Sequence, residues 1–212
     1  MEKEIVTIVE TNYFRSLEIS KEYKNIELRL DKLDFTIKQI EQIIDVSDKT
    51  IISGILHSDN PFIFNIMTNP KVIVDIPFDF FVKNEKLDTF SNCDVLISYH
   101  HSGNFATLFD TKIHSMIKKM LTVGDILKVS YFKIAVTIND TQEEEKFFSL
   151  FEKYSDLQGK LILIPLGKKF QLSRIKSLEL GSPFMYCYVD KPATECQLSY
   201  EQLVSRNRKN PQ

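Results

Sequence analysis

The chain has 212 residues, 43% of them hydrophobic and 26% charged, an ordinary globular composition with enough length for one full core, so 1–212 is read as one domain. Its 27 Lys and Arg against 29 Asp and Glu give a net charge of -2, which supplies no long-range field for nucleic acid or an anionic membrane. No apolar stretch, 161–166 included, approaches the ~20 residues of a bilayer-spanning helix.

The start, Met1-Glu2-Lys3-Glu4, leads straight into a strand-like run at 5–9. It lacks the apolar core and cleavage site of a signal peptide, so a cytoplasmic location is expected. Strand formers return at 26–30, followed by Phe35, Ile37, Ile40, Ile43 and Ile44 at helical spacing. Strands are predicted at 50–55 and 72–76, and the segments after them, around 61–70 and 78–88, look short of helix. Further strands fall at 95–99 and 131–136, the second leading into a helix at 141–154 that carries Phe147, Phe148, Leu150 and Phe151. The last two strands are predicted at 161–164 and 184–188. Eight strand and helix units in 212 residues leave about 26 residues each. This predicts an α/β fold with right-handed crossovers, a compact (β/α)8 TIM barrel near the lower size limit. A doubly wound dinucleotide fold lacks support, because the chain has six glycines and no GxGxxG after its first strand. Cys93, Cys187 and Cys196 are widely spaced and odd in number, so three free thiols are expected and no zinc site.

Strand side chains alternate faces, so polar residues on the face that looks into a barrel are informative. In the second strand Ile26, Leu28 and Leu30 face the helices, leaving Glu27, Arg29 and Asp31 inward. In the fifth, Ser98 and His100 face inward, and in the sixth Lys133, Ala135 and Thr137 do. Glu27, Arg29, His100 and Lys133 thus converge inside one barrel. Each alone could belong to a stabilising ion network, but together at the C-terminal ends of barrel strands they point to chemistry. That chemistry is amine catalysis. Desolvation and a neighbouring cation such as Arg29 would lower a lysine from about 10.4 toward ~7–8, leaving a free amine that attacks a ketone. His100 is the candidate to deprotonate the carbon next to the resulting iminium. No metal or cofactor is expected. His57, His100, His101 and His114 show no ligand spacing, and single glycines at Gly167 and Gly181 make no phosphate cradle.

At these residues the sequence resembles the type I 3-dehydroquinate dehydratases, shikimate-pathway enzymes that convert 3-dehydroquinate to 3-dehydroshikimate on the way to the aromatic amino acids. Ile26-Glu27-Leu28-Arg29-Leu30-Asp31 resembles the family's Glu-x-Arg-x-Asp strand, and Ile97-Ser98-Tyr99-His100 resembles the strand of its catalytic histidine. Lys133-Ile134-Ala135-Val136 is similar to the Schiff-base lysine strand, and Leu172-Ser173-Arg174 with Gly181-Ser182 to the arginine segment after strand seven. Gln197 sits where the family has the glutamine of its final loop. The resemblance implies a hydro-lyase without cofactor, in a family where homodimers are common. It implies that Lys133 forms the imine at C3 of the substrate, and that His100 removes a C2 proton and helps the C1 hydroxyl leave. Arg174 would hold the carboxylate, Glu27 and Arg29 the hydroxyls, and Gln197 would close the site. Lys128 is the rival amine, read as a solvated helix-end cation, and His101 is read as incidental.

The sequence departs from the family at several points. Leu56 stands where the third strand should supply an arginine, with His57 and Lys191 as possible substitutes. Asp59-Asn60 falls where a glutamate would orient the histidine, and Pro77 stands where an acidic residue is usual. Ala193-Thr194-Glu195-Cys196 replaces small lid residues and removes a serine at Ala193. Two alternatives therefore stand beside the dehydratase: another lysine-dependent barrel enzyme, an aldolase or dehydratase acting on a different hydroxy-keto acid, and a degenerate barrel kept as a binding partner.

Overall fold

The computed structural model of the chain describes residues 3–9, 11–54, 68–83, 93–103 and 105–209. The runs of strand-forming residues give β1 (Glu4–Ile8), β2 (Asn25–Arg29), β3 (Lys49–Ser53), β4 (Val72–Pro77), β5 (Asp94–His101), β6 (Tyr131–Thr137), β7 (Leu161–Leu166) and β8 (Met185–Tyr188), and a short β9 (Leu198–Ser199) follows. All pair in parallel, in the order β7-β6-β5-β4-β3-β2-β1-β8-β9. Sequence neighbours are thus mostly spatial neighbours, and the chain advances round a curled sheet one unit at a time. The helices are α1 (Tyr13–Tyr23), α2 (Ile37–Val46), α3 (Phe78–Lys83), α4 (Phe105–Thr111), α5 (Ile113–Leu127), α6 (Thr141–Lys153), α7 (Ser173–Glu179) and α8 (Tyr200–Lys209).

Local chemistry sets the helix boundaries. Thr36 caps α2 by accepting from the Gln39 amide while Gln39 reaches back to the Thr36 amide, a reciprocal capping box. Ile40, Ile43 and Ile44 then fall on one face and are buried. Asp140 caps α6, whose first turn carries Glu143 and Glu144 against the positive end of the helix and whose Phe147, Phe148 and Leu150 are buried. Of the segments predicted to be short of helix, 78–83 is helical as α3. Residues 55–67 and 84–92 lie outside the described residues.

Alternation along the strands divides the apolar residues between two cores. Ile26, Leu28, Val95, Ile97, Phe132, Ile134 and Val136 pack toward the helices in the larger one. Ile5, Ile51, Ile73, Leu96 and Ile162, with Tyr186, fill the interior of the curled sheet as its floor. Each such side chain, fully buried, contributes ~1.5–3 kcal/mol. In α5, Gly124 lets the helix lie on β6, because a Cβ there would stand 2.5 Å from the Phe132 ring.

The closure differs from an eight-stranded ladder. Among the described residues β7 and β8 share no ladder, and the two-residue β9 pairs instead with β8, Cys187 with Leu198 and Tyr188 with Ser199. Side chains satisfy the open edge of β7. Ser177 Oγ donates to the Leu163 carbonyl at 2.5 Å, Ser182 Oγ accepts from the Leu163 amide at 3.3 Å, and Arg174 Nε donates to the Pro165 carbonyl at 3.4 Å. The missing N–H of Pro165 falls on this same edge, where no ladder needs it.

Candidate active site

The C-terminal ends of the strands surround a cavity of about 290 Å³, at the lower end of the ~300–1,000 Å³ common for small-molecule sites. Glu27, Arg29, His100, Lys133, Arg174 and Gln197, the six residues singled out from sequence, all line it. The even-numbered strands each supply one side chain near its base, Glu27, Asp75, Lys133 and Tyr186, in the four-per-layer manner of such barrels.

Lys133 is 4% exposed and forms an ion pair with Asp75, itself 4% exposed. Its Nζ also stands 5.2 Å from the centre of the Tyr186 ring, within cation–π range. The group touching the amine is therefore a carboxylate. Arg29, the cation expected beside it, instead donates bidentately to Asp31, Nε to Oδ1 at 2.9 Å and Nη2 to Oδ2 at 2.8 Å. That bond holds the Asp31 carboxyl below its ordinary range. Gly54 makes room for the pair. It has φ +75°, and a Cβ there would come within 2.3 Å of Asp31 Oδ1.

His100 follows Ser98 by two positions on the inward face of β5 and sits one level above Lys133, whose register partner is Ser98. Surrounding protein atoms are the leading cause that pushes its pKa down, to about 4, with the Lys133 ammonium second. The ring is nevertheless exposed to the open mouth, and water there moderates the shift without reversing it. The imidazole is neutral at pH 7 and able to accept a proton.

Glu27 is held by two hydroxyls, Thr7 Oγ1 to Oε2 and Ser53 Oγ to Oε1, each at 2.8 Å. Gln197 locks over them. Its Nε2 donates to Thr7 Oγ1 at 2.8 Å and to the Cys187 carbonyl at 3.0 Å, and its Oε1 accepts from the Ala193 amide at 2.7 Å. Arg174 is 6% exposed, and its Nη2 donates to Cys196 Sγ at 3.2 Å. Burial pushes the Cys196 thiol up, but the Arg174 charge, the Thr194 hydroxyl and the Gly167 amide outweigh it and the net direction is down. One donor of the expected carboxylate clamp is thus turned to a sulfur of the lid.

Sequence reasoning passed over Asp75, Thr7, Ser53, Tyr186 and Cys196. The first four carry the signal that found Glu27, a polar group on the inward face of a strand. Lys128 is the exposed, left-handed cap of α5, and His101 stacks on Tyr99. Lys191 is exposed and does not line the cavity. Leu56, His57, Asp59 and Asn60 lie outside the described residues. Among the described residues no three His, Cys, Asp or Glu side chains are placed to hold a metal.

A curled parallel sheet with a buried lysine beneath a neutral histidine at its C-terminal end defines an α/β-barrel enzyme of the lysine and histidine class. The 3-dehydroquinate dehydratase of Archaeoglobus fulgidus is 27% identical over 211 residues, covering 90% of this chain and 93% of that protein. The 3-dehydroquinate dehydratase of Hydrogenobaculum sp. is 32% identical over 114 residues, 53% of this chain and 48% of that protein. The fold matches the solved 3-dehydroquinate dehydratase of Aquifex aeolicus with a TM-score of 0.69 at 20% identity, over 99% of both chains. It matches the type I enzyme of Clostridium difficile, solved with covalently modified comenic acid, with a TM-score of 0.69 at 18% identity, over 96% of this chain and 90% of that one. Residues 72–206, well over half of the sequence, match the family model for type I 3-dehydroquinase, and the chain belongs to that family.

Proposed function

We propose that the chain is a 3-dehydroquinate dehydratase of the shikimate pathway, a hydro-lyase that works through an imine on Lys133. The observation that carries this reading is the buried Lys133 amine with a neutral His100 one level above it, in a member of this family. Arg174 receives the substrate carboxylate, for which a guanidinium is suited, after releasing Cys196. Glu27 and Arg29 hold ring hydroxyls, and Gln197 keeps the last loop closed over them. Lys133 gives a proton to the carboxylate it already contacts, Asp75, and the free amine adds to the C3 ketone. Loss of water gives the iminium, which draws electrons from the C2–H bond as His100 takes that proton. His100 then protonates the C1 hydroxyl, which leaves as water, and hydrolysis of the imine releases product.

Borohydride reduction with 3-dehydroquinate, followed by mass spectrometry, tests substrate and nucleophile together. A reduced adduct on Lys133 is expected, and its absence, with turnover intact, overturns the imine. A second reading, a related hydroxy-keto acid as substrate, is favoured by one observation: the Arg174 donor is engaged by Cys196. Turnover of 3-dehydroquinate far below that of another acid in a substrate panel would select it. We further infer one catalytic domain over 1–212, acting as a cytoplasmic homodimer. Light scattering that reads a monomer mass would remove the dimer.

A further inference from the structure

Two buried polar atoms at the base of the cavity have no hydrogen-bond partner among the described residues, the Tyr186 hydroxyl and Asp75 Oδ1. Tyr186 is 6% exposed and Asp75 4%, and both residues line the cavity. Both also stand against the Lys133 amine, Asp75 through its other oxygen and Tyr186 through its ring. The floor around Tyr186 is otherwise Ile5, Ile51, Ile73, Leu96 and Ile162. Packing alone gives no reason for a hydroxyl there, and a buried hydroxyl left dry is unfavourable. One unpartnered atom is a donor and the other an acceptor, in a polar pocket, which are the conditions under which proteins retain a buried water. Burial, then Glu27 and Asp75, push the Tyr186 phenol well above its ordinary value, so it keeps its proton and donates.

We propose that Tyr186 and Asp75 hold one water on the cavity floor, and that this water hydrolyses the product imine. The inference rests on the imine reading above. The water accepts from the Tyr186 hydroxyl, donates to Asp75 Oδ1, and attacks the iminium carbon with its remaining lone pair. The C=N π electrons move onto Nζ, and the water proton passes to Asp75, leaving a carbinolamine. The C–N bond then breaks as the carbinolamine oxygen forms the ketone. Nζ receives the proton stored on Asp75 and, through the same carboxylate, the hydroxyl proton. The oxygen leaves with the product, both water protons end on Nζ, and Asp75 is a carboxylate again. The end state is the Lys133 and Asp75 ion pair of the ligand-free protein. The placement has a steric logic. His100 stands at the mouth, one level above Lys133, so water from that side must pass the bound ring, and water already on the floor need not.

Tyr186→Phe removes the hydroxyl and keeps the ring. Enzyme mixed with stoichiometric 3-dehydroquinate, quenched with borohydride at successive times, reports the rise and decay of the Lys133 adduct by mass spectrometry. Decay is expected to slow about tenfold in the variant, the effect of one hydrogen bond. Equal decay in both proteins, with a normal adduct in the unsubstituted enzyme, overturns the inference alone. No adduct in the unsubstituted enzyme overturns it together with the imine. A high-resolution crystal structure of the unsubstituted, ligand-free enzyme gives a test independent of the variant's folding. Density for a water bonded to both Tyr186 Oη and Asp75 Oδ1 is expected, and a dry floor overturns the site.

Discussion

Lys133, the proposed nucleophile, is also the counter-charge of Asp75. Lys133→Ala is expected to abolish turnover and also to destabilise, because Asp75 is left buried without its partner. Breaking a buried pair by removing one member costs ~3–5 kcal/mol. Adding Asp75→Asn to Lys133→Ala should restore part of that stability and none of the activity, as thermal melts and turnover assays would show. A melt of the single variant matching the unsubstituted protein would mean that the pair is solvated. His100→Ala should still give a reduced adduct on Lys133, while elimination slows ~10²–10⁴-fold. The pH dependence follows from the same residue. With the imidazole pushed below its ordinary value by burial, the acid limb of kcat/KM is expected below 6.5, and a limb centred near the ordinary 6.5 would show the base in a different environment. Glu27, Arg29, His100 and Lys133 were legible in the sequence because each is polar where a strand's inward face should be apolar, whereas Arg174, in a helix, and Gln197, in the last loop, were read only from the family resemblance. The partner of Lys133 was not legible. Asp75 lies 58 positions away, on a strand that does not adjoin β6, and only closure of the sheet brings alternate strands together.

Within single elements, local rules made the strands and helices readable, whereas the closure is set by non-local contacts that no local pattern announces. The 3.6-residue period at Ile40, Ile43 and Ile44 with the Thr36 cap specified α2 almost alone. Thr36→Ala should lower stability by ~0.5–2 kcal/mol in a denaturant titration without changing kcat, since the cap is remote from the cavity. The turn after β3 is different, because it couples backbone to site. Gly54→Ala places a Cβ against Asp31 at a left-handed φ, so the Arg29 and Asp31 pair must shift. The expected result is a raised KM together with a lower melting temperature, and a loss of stability with KM untouched would detach that pair from substrate binding. The joint between β7 and β8 was illegible because it depends on Ser177, Ser182 and Pro165, whose roles appear only when two strand edges face each other.

For the whole molecule, acid is the expected weakness. The Asp31 carboxyl is depressed by Arg29, so its contribution is present above the ordinary carboxylate value near 3.9 and is lost as pH falls through the depressed one. His100 and His114 are also pushed down, mainly by burial. Between about 4 and 6.5 the unfolded chain therefore binds more protons at His100, and stability declines as pH falls through that window. His100→Gln should flatten this slope in melts recorded from pH 7 to 4, and an unaltered slope would assign it to other groups. A different kind of weakness sits in the wall itself. Ser177, Ser182 and Arg174 bridge the free edge of β7, so the wall can part there without disturbing a backbone ladder. Local opening at this joint would part β8 from β7 while β8 stays laddered to β1 and β9 and the ladders from β1 to β7 stay paired. The Leu163 amide, bonded only to the Ser182 hydroxyl, should exchange with deuterated solvent sooner than the Ile162 and Ile164 amides on the β6 side. The barrel thus has a seam hinged on the ladder of β1 and β8, and the loop that brings Ala193, Thr194 and Gln197 to the cavity is mounted beside it.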